Sequence, residues 1–148
     1  MYNVFNLNYF KSLYLSIKYG KMYVYRNEST KIRKSSHIIN NGVIFLNKDH
    51  NSNPKNFNYG YFKVGDNAKL IVNKRLLLRP GVRFEIEDNA KLEVDDCTIN
   101  YNTKNYCFDN IKIGKNVIIS ENVTIRDSDN HCINDSRICS PIVIDYNV

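Results

Sequence analysis

The chain has 148 residues, 43% of them apolar and 24% charged, which suits one domain with a real core and argues against wholesale disorder. Its longest apolar runs, such as Val43-Ile44-Phe45-Leu46, fall far short of a membrane span, and residues 1–6 lack the basic and apolar regions of a signal peptide, so a cytoplasmic protein is expected. The whole net charge of +6 sits in residues 1–40, where Lys11, Lys18, Lys21, Arg26, Lys31, Arg33 and Lys34 face only Glu28, and the neutral remainder argues against nucleic-acid binding.

In chain order, Phe10, Leu13, Tyr14 and Ile17 recur at i, i+3, i+4 and i+7, one face of a short helix over 9–18 that Gly20 would stop. Lys21-Met-Tyr-Val-Tyr-Arg26 alternates with period two and predicts a strand. Residues 47–60 are polar and rich in turn formers, which predicts a loop. The basic charge of this segment fits a solvated face, or one that meets an anionic membrane, glycolipid or phosphate-bearing substrate.

After residue 62 a five-residue phrase recurs: Val64-Gly65-Asp66-Asn67-Ala68, Ile86-Glu87-Asp88-Asn89-Ala90, Ile113-Gly114-Lys115-Asn116-Val117 and Ile144-Asp145-Tyr146-Asn147-Val148. The offsets of 22, 27 and 31 residues each exceed three hexads, so the phrases are expected on one face of successive three-sided coils, with insertions between them. Leu92 follows Ile86 by six, and Ile119, Ile125 and His131 continue from Ile113 at the same step. Such a coil needs an inward aliphatic on each side and a residue tolerant of left-handed backbone at the corner, which Asn supplies. Parallel stacking of the coils would give a solenoid. Residues 70–85 fit the repeat poorly, and an antiparallel β protein with Asn/Gly turns is the competing architecture.

The block Ile113-Gly-Lys-Asn-Val-Ile-Ile-Ser-Glu-Asn-Val-Thr-Ile-Arg-Asp-Ser-Asp-Asn-His131, followed after a loop by Pro141-Ile-Val-Ile-Asp-Tyr-Asn-Val148, resembles the hexapeptide-repeat acyltransferases. The nearest type is the sugar O-acetyltransferases of the maltose/galactoside acetyltransferase and polysaccharide-biosynthesis kind. The resemblance implies a mainly β fold, a left-handed parallel β-helix over 61–148 behind a short α+β cap over 1–60. The left hand rests on the resemblance alone, since it runs against the usual crossover rule. Also implied are acetyl-CoA as co-substrate, a saccharide acceptor, no metal, and a homotrimer with sites between subunits.

The resemblance implies that His131 is the general base that takes the hydroxyl proton during attack on a thioester. Asp129 and Asp127 are the carboxylates available to orient its imidazole, and Asn100 is a candidate substrate contact from the preceding coil. His131 lies in an insertion between Ile125 and Ile144, where a solenoid usually carries function. Cys97, Cys107, Cys132 and Cys139 form no C-x-x-C pair, and Cys132 reads as an idle or packed thiol beside His131. The Asn27, Asn122 and Asn134 sequons carry no meaning without export. His37 and His50 fall outside the repeats and are expected at the surface, which discounts a three-histidine metal site; no flat Thr ladder suggests ice binding.

In the family the phrase at 141–148 runs on into Trp-Ile-Gly and further coils that carry most acyl-CoA contacts. The chain is therefore expected to be C-terminally truncated, with most of its cofactor site missing. A non-catalytic β-helix remnant is the alternative, and acyl-CoA binding separates the two.

Overall fold

The computed structural model describes residues 6–49, 58–133 and 136–148, with side chains throughout except at 130–133 and 136–137. One helix, α1 (Tyr9–Tyr19), precedes β1 (Met22–Val24), β2 (Glu28–Ile32), β3 (His37–Asn40), β4 (Val43–Leu46) and β5 (Gly60–Val64). Two long strands follow, β6 (Lys69–Leu78) and β8 (Lys91–Ile99), each succeeded by a short one, β7 (Arg83–Ile86) and β9 (Lys104–Cys107). The chain ends with β10 (Asn110–Ile113), β11 (Val117–Ile119), β12 (Thr124–Arg126), a hairpin of β13 (Ser128–Ile133) and β14 (Ser136–Cys139), and β15 (Ile142–Ile144). The fold is mainly β.

Apart from that hairpin, the strands pair in parallel and fall into three stacks. The first holds β3, residues 69–72 of β6, residues 91–94 of β8, β10 and β15. The second holds β1, β4, residues 75–78, residues 96–99 and β11. The third is β2, β5, β7, β9 and β12. The chain visits them in rotation, so each pass lays one strand on every stack.

Alternation along each strand sends every second side chain inward. In the first stack Ile38, Leu70, Leu92, Ile111 and Ile142 stand in register, with Leu70, Leu92 and Ile111 fully buried. Each such side chain contributes about 1.5–3 kcal/mol by leaving water. In the third stack the inward column reads Thr30, Phe62, Phe84, Asn105 and Ile125, with the Phe62 and Phe84 rings stacked 5.6 Å apart. Asn105 is fully buried and neither atom of its amide is hydrogen-bonded, a cost of about 1–3 kcal/mol.

The corners are made by asparagine. Among the described residues every non-glycine with positive φ is an Asn: 27, 47, 67, 89, 102, 116, 122 and 147. Its short side chain tolerates the left-handed conformation and bonds locally. At the corner between the second and third stacks, Gly81 (φ 78°) stands in for Asn between Asn47 and Asn102. Asn67 donates to Asn89, and Asn116 to Asn147, so corner residues also ladder between passes.

All four repeat-phrase asparagines adopt the expected backbone, but the phrases do not share one face. Val64 pairs with Ile86 in the third stack and Ile113 with Ile144 in the first. The 27-residue step from Ile86 to Ile113 is one full pass, which reaches Cys107 in register with Ile86, plus one further side of six residues. Residues 70–85 fit the repeat poorly because β6 crosses the corner between the first two stacks without a turn. There the β6–β8 register shifts, and Lys74 and Arg75 converge on Asp96 at 2.7 and 2.8 Å.

No break in pairing marks the boundary expected at 60/61. Strands β1 to β4 lie in the same stacks as the later ones, so the parallel architecture begins at Met22. What stands apart is the segment before it. Helix α1 is capped by Asn8, whose side chain accepts from Lys11 N–H, and stops at Gly20 (φ 79°), as the sequence predicts. Its apolar stripe does not face the stacks: Phe10 is 90% exposed and Ile17 79%, while Ser12 and Leu15 are buried. The Ser12 and Ser16 hydroxyls instead bond the free edge of β1. Ser12 Oγ accepts from Val24 N–H and donates to Val24 C=O; Ser16 Oγ does the same for Met22. The open edge of the first strand is thereby covered.

Candidate functional site

Among the described residues the regular rotation is broken between β12 and β15, where the chain leaves the third stack as the β13–β14 hairpin. Strand β12 is in register with β9, which places Arg126 beside Tyr106. Its guanidinium lies 4.8 Å from the Tyr106 ring centre and 5.8 Å from that of Phe108. Arg126 departs from the repeat as a sequence, but the cluster it forms depends on a register that sequence alone does not provide.

Asp127 follows, turned inward and only 3% exposed. Its Oδ1 accepts from Phe108 N–H at 2.7 Å, and its Oδ2 from Asp109 and Asn110 N–H at 2.9 and 2.8 Å. One carboxylate thus holds the whole turn between β9 and β10. The Cys107 thiol lies 3.8 Å from Asp127 Oδ2 and 3.2 Å from the Lys91 carbonyl. Burial, and after it the Asp127 charge, push that thiol well above its ordinary value. Such a thiol is no nucleophile near neutral pH.

The hairpin closes at its base, where Ser140 N–H donates to the Asp127 carbonyl at 2.9 Å and Ser128 is in register with Cys139. The register then shifts between Ser128 and Cys132, the stretch that contains His131. The backbone of His131 therefore lies in β13, while its side chain and that of Cys132 fall outside the described residues. Asp129, also in β13, is exposed.

The structure brings Asp127, Asp129 and the backbone of His131 to one hairpin. Asn100 is elsewhere: it follows β8 at the corner between the second and third stacks, where its N–H donates to the Ile119 carbonyl. The whole length of a third-stack strand separates that corner from the turn that Asp127 holds. His37 is exposed on β3, and His50 lies outside the described residues. Among the described residues no three His, Cys, Asp or Glu side chains gather as metal ligands, and no helix is long and apolar enough to cross a membrane.

Compared with protein-family models, curated proteins and solved structures, the chain matches none.

Proposed function

We propose that the three stacks close as a left-handed hexapeptide-type β-helix, and that the protein belongs with acyl-CoA-dependent O-acetyltransferases acting on a sugar hydroxyl of a polysaccharide or its precursor. The observation that carries this reading is the placement of the His131 backbone on the one hairpin that, among the described residues, leaves a stack otherwise built of three rotating sides with asparagine corners. A loop that protrudes from a regular scaffold can hold a reacting group without disturbing the core.

In this reading the His131 imidazole removes the acceptor hydroxyl proton as the oxygen attacks the thioester carbonyl. The tetrahedral intermediate then expels the thiolate, which takes up the proton to leave CoA-SH and the sugar ester. No covalent enzyme intermediate is needed. Asp129, exposed on the same strand, is the carboxylate that would orient the imidazole, because three backbone N–H groups already occupy Asp127. A cytoplasmic homotrimer with its site between subunits completes the proposal.

The same three bonds favour a second reading, a non-catalytic stack, since they account for Asp127 by folding alone. Calorimetric titration with acetyl-CoA, followed by thiol release with saccharide acceptors, separates the two. Micromolar binding with turnover that falls by ~10²–10⁴-fold in His131→Ala supports the enzyme. Absence of binding supports the scaffold.

A further inference from the structure

We propose that α1 seats the protein on an anionic lipid surface, its outer face in the headgroup–acyl boundary and the cations beside it on lipid phosphates. The proposal stands apart from the acetyltransferase reading and needs no feature of the hairpin.

The apolar stripe on α1 is a surface by construction. Its inner side is already satisfied: Leu15 and Ser12 are buried, and Ser12 and Ser16 are hydrogen-bonded to β1. The opposite side carries Phe10, Leu13, Tyr14 and Ile17, exposed by 90, 63, 63 and 79%. A short helix with bulky apolar groups along one face and cations at its edge is the form that lies in a membrane interface.

Charge selects the partner. Lys18, Lys21, Arg26, Lys31 and Lys34 are all exposed, on α1 or on the first pass of the chain beneath it, while Arg33 beside them is paired with Asp66 at 3.5 Å. The one acid of the first forty residues, Glu28, has its Oε1 buried. An open hollow of about 520 Å³ between the last turn of α1 and β3 adds Lys18, Ser36, His37 and Lys69 on its walls, donors of the kind that hold a phosphate. A second copy docked face to face would set these cations against their own counterparts. An anionic bilayer instead meets both the apolar stripe and the charge around it.

The test is flotation of the full chain with phosphatidylcholine vesicles, with and without phosphatidylglycerol. Binding is expected only to the phosphatidylglycerol vesicles, and it should weaken with added salt. Phe10→Ser and Ile17→Ser should each lower affinity ~10-fold or more, and Lys18→Gln and Lys21→Gln about fivefold each. These positions are exposed, so circular dichroism should be unchanged. The proposal is overturned by absence of binding to phosphatidylglycerol vesicles or by binding that all four variants retain. It is equally overturned if ultracentrifugation shows self-association, abolished by Phe10→Ser, in a protein that ignores vesicles.

Discussion

Replacing Asp127 by Ala removes the acceptor of three backbone N–H groups at once, those of Phe108, Asp109 and Asn110. A hydrogen bond to a charged group contributes about 1.5–3 kcal/mol. Asp109 and Asn110 are exposed, so their N–H groups recover water after the substitution; Phe108 is half-buried and recovers less. The net loss should be about 2–4 kcal/mol. Asp127→Asn keeps one oxygen, best placed where Oδ2 serves two donors, but turns an NH₂ toward Phe108 N–H, so about half the loss should remain. Urea unfolding followed by circular dichroism measures both. With a slope of about 2 kcal/mol per molar urea, the Ala midpoint should move by ~1–2 M at constant slope. A midpoint shift below ~0.3 M for Ala, or an Asn variant as unstable as Ala, would refute the view that this carboxylate anchors the turn.

Three further outcomes are expected. Asn89→Ala should cost about 1–2 kcal/mol because alanine strains at φ 64°, whereas Asn89→Gly should cost less than half of that; equal losses in thermal melts would show that the side-chain bond, not the backbone, matters. Burial raises the Glu28 carboxyl to about 8, only partly opposed by Lys11. The protonated acid therefore favours the fold fully below pH ~4.3, and this contribution, on the order of 5 kcal/mol at most, is lost as pH rises toward 8. Glu28→Gln should flatten the stability–pH curve over that window, and a curve parallel to the parent's would remove the assignment. In a Cys132→Ser background, the native protein should show one thiol reactive to Ellman's reagent, Cys139. Cys97, pushed up to about 12 by burial, and Cys107 should react only on unfolding, and three prompt thiols would contradict their burial.

The parts of the fold that could be read in advance were those set by local chemistry. Asparagine at the corners, the period of six and the stop at Gly20 each follow from one residue's own backbone preference or from alternation. Which face a phrase occupies did not follow, because it depends on the summed length of every side before it. Passing from Ile86 through the in-register Cys107 to Ile113 adds one side more than a whole pass, and nothing in the phrase itself records that. Of the strands before residue 60 only β1 was legible, from its alternation over 21–26, and its place in a stack with β2, β3 and β4 was not, for a related reason. Their inward residues, such as Met22, Ile44 and Thr30, are buried by stacking on later passes and carry no repeat phrase of their own. On α1 the helical period was correct, yet the apolar stripe lies opposite the packing face, because what the stack requires from this helix is hydroxyl groups. At the hairpin, the insertion and the carboxylates beside His131 were visible in the residues; the three N–H groups that converge on Asp127 come from a turn nearly twenty residues earlier and could not be.

The serine contacts of α1 also rest on a coincidence of two lattices. Ser12 and Ser16 are four residues apart on a helix, an axial separation of about 6 Å. Val24 and Met22, which they bond, are two residues apart on a strand, about 6.7 Å. A helix with serine at every fourth position can therefore run alongside a strand and present hydroxyls at nearly the spacing of the next strand's peptide groups. Each hydroxyl both gives and takes a hydrogen bond, so it substitutes for a peptide unit without offering another edge beyond itself. The second stack is terminated chemically at its β1 edge: there a parallel strand from another molecule finds no ladder to extend.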